Sequence, residues 1–151
     1  MNDQLTDILK KKQIKSDGAG TIDWDERRDK YLAAVEELYH QIETILAEPI
    51  AQQSVTPQRR PKQLTESYIG TYSVDDLILL IGNEQVRFSP SGRNIVGAIG
   101  RVDVVGESGE ATLLAQLGPR WSFVRSRQPA LHVVPFDEAT LAEVLQLVMR
   151  D

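Results

Sequence analysis

Cysteine is absent from the chain, which excludes disulfides, thiolate metal sites and cysteine nucleophiles together. Histidine is almost as scarce. His40 and His132 are the two in the chain, and no His-x-x-x-His or carboxylate-rich ligand spacing surrounds either. No metal or other cofactor is therefore expected. No apolar run approaches the ~20 residues that a membrane helix needs, so no membrane partner is expected either. The opening MNDQLTDILKKK places acids before its lysines and has no long apolar stretch, so it does not read as a secretory signal. The cytoplasm is the expected compartment. Positive charge is short as well: the formal net charge is −5, which disfavours a nucleic-acid binder that relies on overall charge.

What is present suits one domain. The 151 residues are 41% hydrophobic and 26% charged, the balance of an ordinary soluble domain with room for a modest core. All six lysines lie at or before Lys62, and every later basic residue is arginine. That shift marks an organisational break near residue 63 within the single domain 1–151.

Residues 1–22 read as a short helix and a loop. Leu5, Ile8 and Leu9 share one side, Lys10, Lys11, Lys12 and Lys15 suit a helix C-terminus, and Ser16-Asp17-Gly18-Ala19-Gly20 breaks it. A long amphipathic helix is predicted over about 23–47. Asp23 as N-cap with Glu26 three residues on resembles a capping box. Tyr31, Val35, Leu38, Ile42 and Ile45 then recur at spacings of four and three, with Leu32, Tyr39 and Leu46 widening the stripe along one flank. Residues 48–63, with three prolines and several glutamines, read as a surface linker.

The region of about 64–135 reads as an antiparallel meander of six or seven strands. Tyr68, Gly70 and Tyr72 alternate in a plausible first strand. Leu77-Ile78-Leu79-Leu80-Ile81 is an unbroken apolar run, as in a strand covered on both faces. The strongest hairpin signal is Gly106-Glu107-Ser108-Gly109 between two β-prone runs. Gly97 and Gly100 inside the first of those runs point to a bulge, a sharp bend or a close-passing backbone. Asp137 is placed to cap a last helix over about 137–150, with Leu141, Val144, Leu145 and Val148 on one face. Helices segregated from a meander make an α+β fold. The same element order would also suit a small pleckstrin-homology-like barrel with a capping helix.

Chemistry-bearing motifs are few. Gly18-Ala19-Gly20 lacks a preceding strand, and Gly97-Ala98-Ile99-Gly100 lacks a following helix, so neither is a phosphate cradle. Gly106-Glu107-Ser108-Gly109 is one residue short of a nucleophile elbow and sits in a hairpin turn. Asp75-Asp76 and Asp137-Glu138 are sequence neighbours with simpler roles in a turn and a helix cap. No catalytic residue is assigned.

Three surfaces remain. The helix stripe Tyr31, Val35, Leu38 and Ile42 either packs on the chain's own sheet or forms a self-association seam. Arg101 and Asp103 share one strand face and either ion-pair at the surface or line a pocket. Arg120, Arg125 and Arg127 flank Trp121 and Phe123; alternate aromatics on a strand normally face a core, with the arginines at its solvated end, and otherwise the mixture suits an interaction surface. The expected function is a non-enzymatic protein–protein interaction module, a homo-oligomer included. A small-molecule site or enzyme centre near Arg101 and Asp103 is the alternative. Nucleic-acid contact through Arg120–Arg127 comes last.

Overall fold

The computed structural model describes residues 24–92, 100–115 and 120–150. The expectations placed on residues 1–22, on the Asp23 cap and on Gly97 lie outside them. Helix α1 runs from Trp24 to Ile45 and a single short turn of helix, α2, from Ala47 to Ala51. Seven strands follow: β1 (Val55–Glu66), β2 (Gly70–Ile81), β3 (Glu84–Gly92), β4 (Gly100–Val105), β5 (Glu110–Ala115), β6 (Trp121–Ser126) and β7 (His132–Pro135). Helix α3 closes the order at Glu138–Val148. Every strand pairs antiparallel with its neighbours in sequence, giving one sheet in the order β1 to β7. This is the expected α+β meander. The barrel alternative fails, because β1 and β7 are free edges and do not pair with each other.

The linker expectation is corrected too. Residues 55–63 are the first part of β1, paired residue by residue with β2 from Val55↔Ile81 to Glu66↔Gly70. Pro57 and Pro61 obscured it, since proline is depleted in strands. An edge strand tolerates them, because each nitrogen, which has no hydrogen to donate, can face away from the one neighbour. The reading that put Tyr68 in a strand also fails. Tyr68 sits in the β1–β2 turn with φ of +70°, followed by Gly70 at +90°. The two-residue Gly82-Asn83 turn joins β2 to β3, with Gly82 at +62° supplying the conformation that the first central position demands. The Gly106–Gly109 turn is present as read, closed by the Gly106 N–H to the Gly109 carbonyl at 3.0 Å.

The sheet curls around α1. Tyr31, Val35, Leu38, Tyr39 and Ile42 are all buried in one core with Leu77, Phe88, Val102, Leu113 and Phe123. Removing a side chain such as Leu38 or Ile42 from water contributes about 1.5–3 kcal/mol. Polar contacts trace the wrapping. The Trp121 indole N–H donates to the Ala34 carbonyl at 2.8 Å, and the Gln41 side-chain amide donates to the Phe136 carbonyl at 3.0 Å.

Two helix tyrosines fill places where the ladder opens. Pairing of β2 with β3 stops at Leu77↔Phe88. There the Tyr39 hydroxyl donates to the Asp75 carbonyl at 2.6 Å, with the Phe88 carbonyl 3.2 Å away. Between β3 and β4 the register shifts at Pro90/Gly92. The Tyr31 hydroxyl lies in that bulge, donating to the Arg101 carbonyl at 2.6 Å and accepting from the Gly92 N–H at 3.0 Å. Buried carbonyls left without a ladder partner are costly, and these hydroxyls satisfy them.

Beyond the split, the β1–β2 ribbon rolls over. Leu77 and Leu79 face the core, yet so do Tyr72 and Val74, which have the opposite parity. A period-two strand can do this only by turning its faces over between residues 74 and 77. The ribbon thereby leaves β3 and folds along the N-terminal half of α1.

Helix α3 begins at the predicted cap. Asp137 accepts from the Thr140 N–H at 2.9 Å, and the Asp137 N–H donates back to the Thr140 hydroxyl at 2.7 Å. That hydrogen bonding holds the exposed Asp137 carboxyl below its ordinary pKa. Leu141, Val144 and Val148 are buried, and the Val148 carbonyl accepts from the Ser108 N–H at 2.8 Å, tying the helix end to the β4–β5 turn.

Candidate binding seam

The helix stripe is spent inside the molecule. Tyr31, Leu38 and Ile42 are 0% exposed and Val35 is 1% exposed, so the chain's own sheet covers the stripe. Burial raises the phenol pKa values of Tyr31 and Tyr39 well above the ordinary 10.

Arg101 and Asp103 satisfy each other on one face of β4, Nε to Oδ1 at 2.7 Å. In the strand RWSFVRSR the aromatics point inward: Trp121 is 3% and Phe123 2% exposed. Arg125 forks onto Glu143 of α3 at 2.9 and 3.1 Å, which raises the guanidinium pKa. Arg127 donates to the Thr112 hydroxyl at 3.0 Å. Arg120 is exposed. The structure therefore separates the arginines from the aromatics that the sequence sets beside them.

A denser polar cluster forms where the ribbon leaves β3. Lys62 Nζ lies 2.9 Å from Asp76 Oδ1 and donates to the Ser89 hydroxyl at 2.5 Å. Asp76 is 6% exposed, and its Oδ1 lies off the line of any hydrogen bond, so Lys62 acts on it through charge. A lysine beside a serine suggests nucleophile activation. Here the ion-paired ammonium is a donor without a lone pair to accept the serine proton. The cluster spans the β2–β3 gap, with Asp76 on β2 and Ser89 on β3. Among the described residues, no group of three or more histidine, aspartate or glutamate side chains converges as a metal site.

Among the described residues, a concave feature lies at the seam between α1 and the β1–β2 ribbon. A groove of about 250 Å³ is lined by Leu32, Val35 and Glu36 of α1 and Ser73, Val74 and Asp75 of β2. Leu32, Val35 and Val74 give it an apolar floor, and Glu36 and Asp75 are acidic walls. Glu36 is engaged by Arg59 Nη1, at 3.0 and 3.1 Å to its two oxygens. Arg59 also reaches Glu43 at 3.5 Å and lies 4.7 Å over the Tyr39 ring. The Asp75 carboxylate has no hydrogen-bond or ion-pair partner among the described residues, its carbonyl alone being held by Tyr39.

Toward the start of α1 the seam ends in an aromatic stack. The Trp24 and Tyr68 rings lie 5.3 Å apart with 15° between their planes, and the Arg27 guanidinium sits 5.7 Å from the Trp24 ring. Tyr68 is 83% exposed and holds its left-handed backbone conformation at the ribbon tip. A bulky residue in that conformation is strained, and strain of this kind clusters at functional positions.

Leu32 was visible in sequence as the flank of the helix stripe. Asp75, read beside Asp76 as a turn residue, lies in β2, and Tyr68, read as a strand residue, lies in a turn; only the roll of the ribbon brings them against α1. Compared with known proteins, the chain gives no match to any family model, curated protein or solved structure.

Proposed function

We propose that the chain is a non-enzymatic protein–protein interaction module that receives another polypeptide along the α1–ribbon seam. The observation that carries this is the groove of about 250 Å³ with an apolar floor, acidic walls and an Asp75 carboxylate without a partner among the described residues. It ends in an exposed, strained tyrosine stacked on Trp24. Large aromatic side chains beside a small apolar recess are what interface centres use. The volume lies below the ~300–1,000 Å³ of pockets for drug-sized ligands, which favours a protruding side chain over a whole cofactor. The cysteine-free composition supports the cytoplasm as the compartment. Among the described residues no helix is long and apolar enough to cross a membrane.

The test is site-specific photo-crosslinking in the source cell, with a photoreactive amino acid at Tyr68, at Ser73 and, as control, at Thr112 on another face. Discrete adducts are expected from Tyr68 and Ser73, none from Thr112, and loss of both when Leu32→Asp is added. An adduct at twice the chain mass identifies a second copy as the partner. Adducts from Thr112 alone would end the seam reading.

A further inference from the structure

The polypeptide-binding reading leaves the recognised chemistry open, and the geometry of the groove narrows it. We propose that the groove receives an arginine side chain of the partner polypeptide, its stem along Leu32 and the edge of Val74 and its guanidinium between Asp75 and Glu36. The inference rests on the seam being the docking surface.

Three observations converge. The groove is amphipathic in one direction, an apolar floor rising to carboxylates, and that is the profile of a long cationic side chain that buries its stem and keeps its charge at the rim. The charges are unbalanced: Arg59 serves both Glu36 and Glu43, and the Asp75 carboxylate has no ion-pair partner among the described residues, on a chain of net charge −5. Such a field attracts a basic partner. Finally, the chain already shows which cation this wall takes. Arg59 lies over the Tyr39 ring while one of its nitrogens contacts both Glu36 oxygens. A planar guanidinium has five donors in a fixed fork and can bridge carboxylates on two walls, whereas a lysine ammonium acts as a point charge. Glu36 is then shared between Arg59 and the incoming group, while Asp75 is wholly available to it.

The experiment uses the full chain and two capped pentapeptides, acetyl-Gly-Ser-Arg-Ser-Gly-amide and its citrulline twin, which keeps the shape and loses the charge. Two-dimensional amide NMR follows each titration at low and at high salt. The arginine peptide is expected to shift the amides of Leu32, Ser73 and Asp75, and to bind about ten-fold more tightly than its twin, as the strength of charge-assisted hydrogen bonds implies. High salt should weaken it. Asp75→Asn and Glu36→Gln, which preserve shape, should each weaken the arginine peptide several-fold without changing the twin. Equal binding of both peptides, or shifts confined to another face, overturns the proposal. Equal binding at Leu32, Ser73 and Asp75 removes the arginine and keeps the seam. No shift from either peptide, together with no adduct from Tyr68, removes both.

Discussion

The Tyr39 hydroxyl donates to the Asp75 carbonyl at 2.6 Å, across the point where β2 and β3 stop pairing. One side chain of the central helix thus completes a sheet that cannot complete itself. Tyr39→Phe removes the donor and leaves the freed carbonyls unsatisfied. We expect a loss of about 1–3 kcal/mol, read as a lower urea midpoint with an unchanged slope.

Alkaline stability follows from the same two tyrosines. Burial is the main cause that lifts the Tyr31 and Tyr39 phenols above their ordinary value of 10.0, and the Asp76 charge adds to it at Tyr39. The folded value exceeds the unfolded one, so the neutral phenols favour folding fully below pH 10, and that contribution falls as pH rises beyond it. Each should contribute a slope of up to about −1.4 kcal/mol per pH unit there. Denaturation curves between pH 9 and 11 (~1 unit either side of the ordinary tyrosine value) should show the decline, and Tyr39→Phe should show a shallower one.

At Gly100 a Cβ would fall 2.1 Å from two Tyr31 ring carbons, and the ring is fixed by its hydrogen bonds to Arg101 and Gly92. Gly100→Ala is therefore expected to cost about 1–3 kcal/mol through overpacking. In a Tyr31→Ala background the same change should cost little. A double-mutant cycle should return a coupling of roughly 0.5–3 kcal/mol, and additive costs would refute the steric account.

Edge protection is testable at β1. Pro57 and Pro61 interrupt the outward row of backbone donors on the open edge of the sheet, a common defence against edge-to-edge pairing. Replacing both with threonine restores two donors and raises strand propensity. Light scattering should then report assemblies larger than those of the parent chain at the same concentration.

Local chemistry was legible wherever one residue type settles one geometry. Asp137 caps α3, Gly106 and Gly109 bound a hairpin, and the spacing from Tyr31 to Ile42 builds α1. Gly100 was readable as a close-passing backbone, although its neighbour, the Tyr31 ring, was not. Elsewhere local signals misled. The prolines that argued for a linker lie in an edge strand, where one side needs no donors. The alternating tyrosines around Gly70 flank a turn.

Composition and periodicity by themselves determined the class of this protein: a cysteine-free α+β meander with a striped helix at one end and a capped helix at the other. Those properties come from near neighbours in the chain, through turns, caps and amphipathic repeats. Tertiary structure alone decided that α1 lies within the curl of the sheet and that Leu32 meets Asp75 across a groove. Each of these depends on where β2 parts from β3 and turns over, a balance of strand twist, tyrosine hydrogen bonds and burial among residues far apart in sequence.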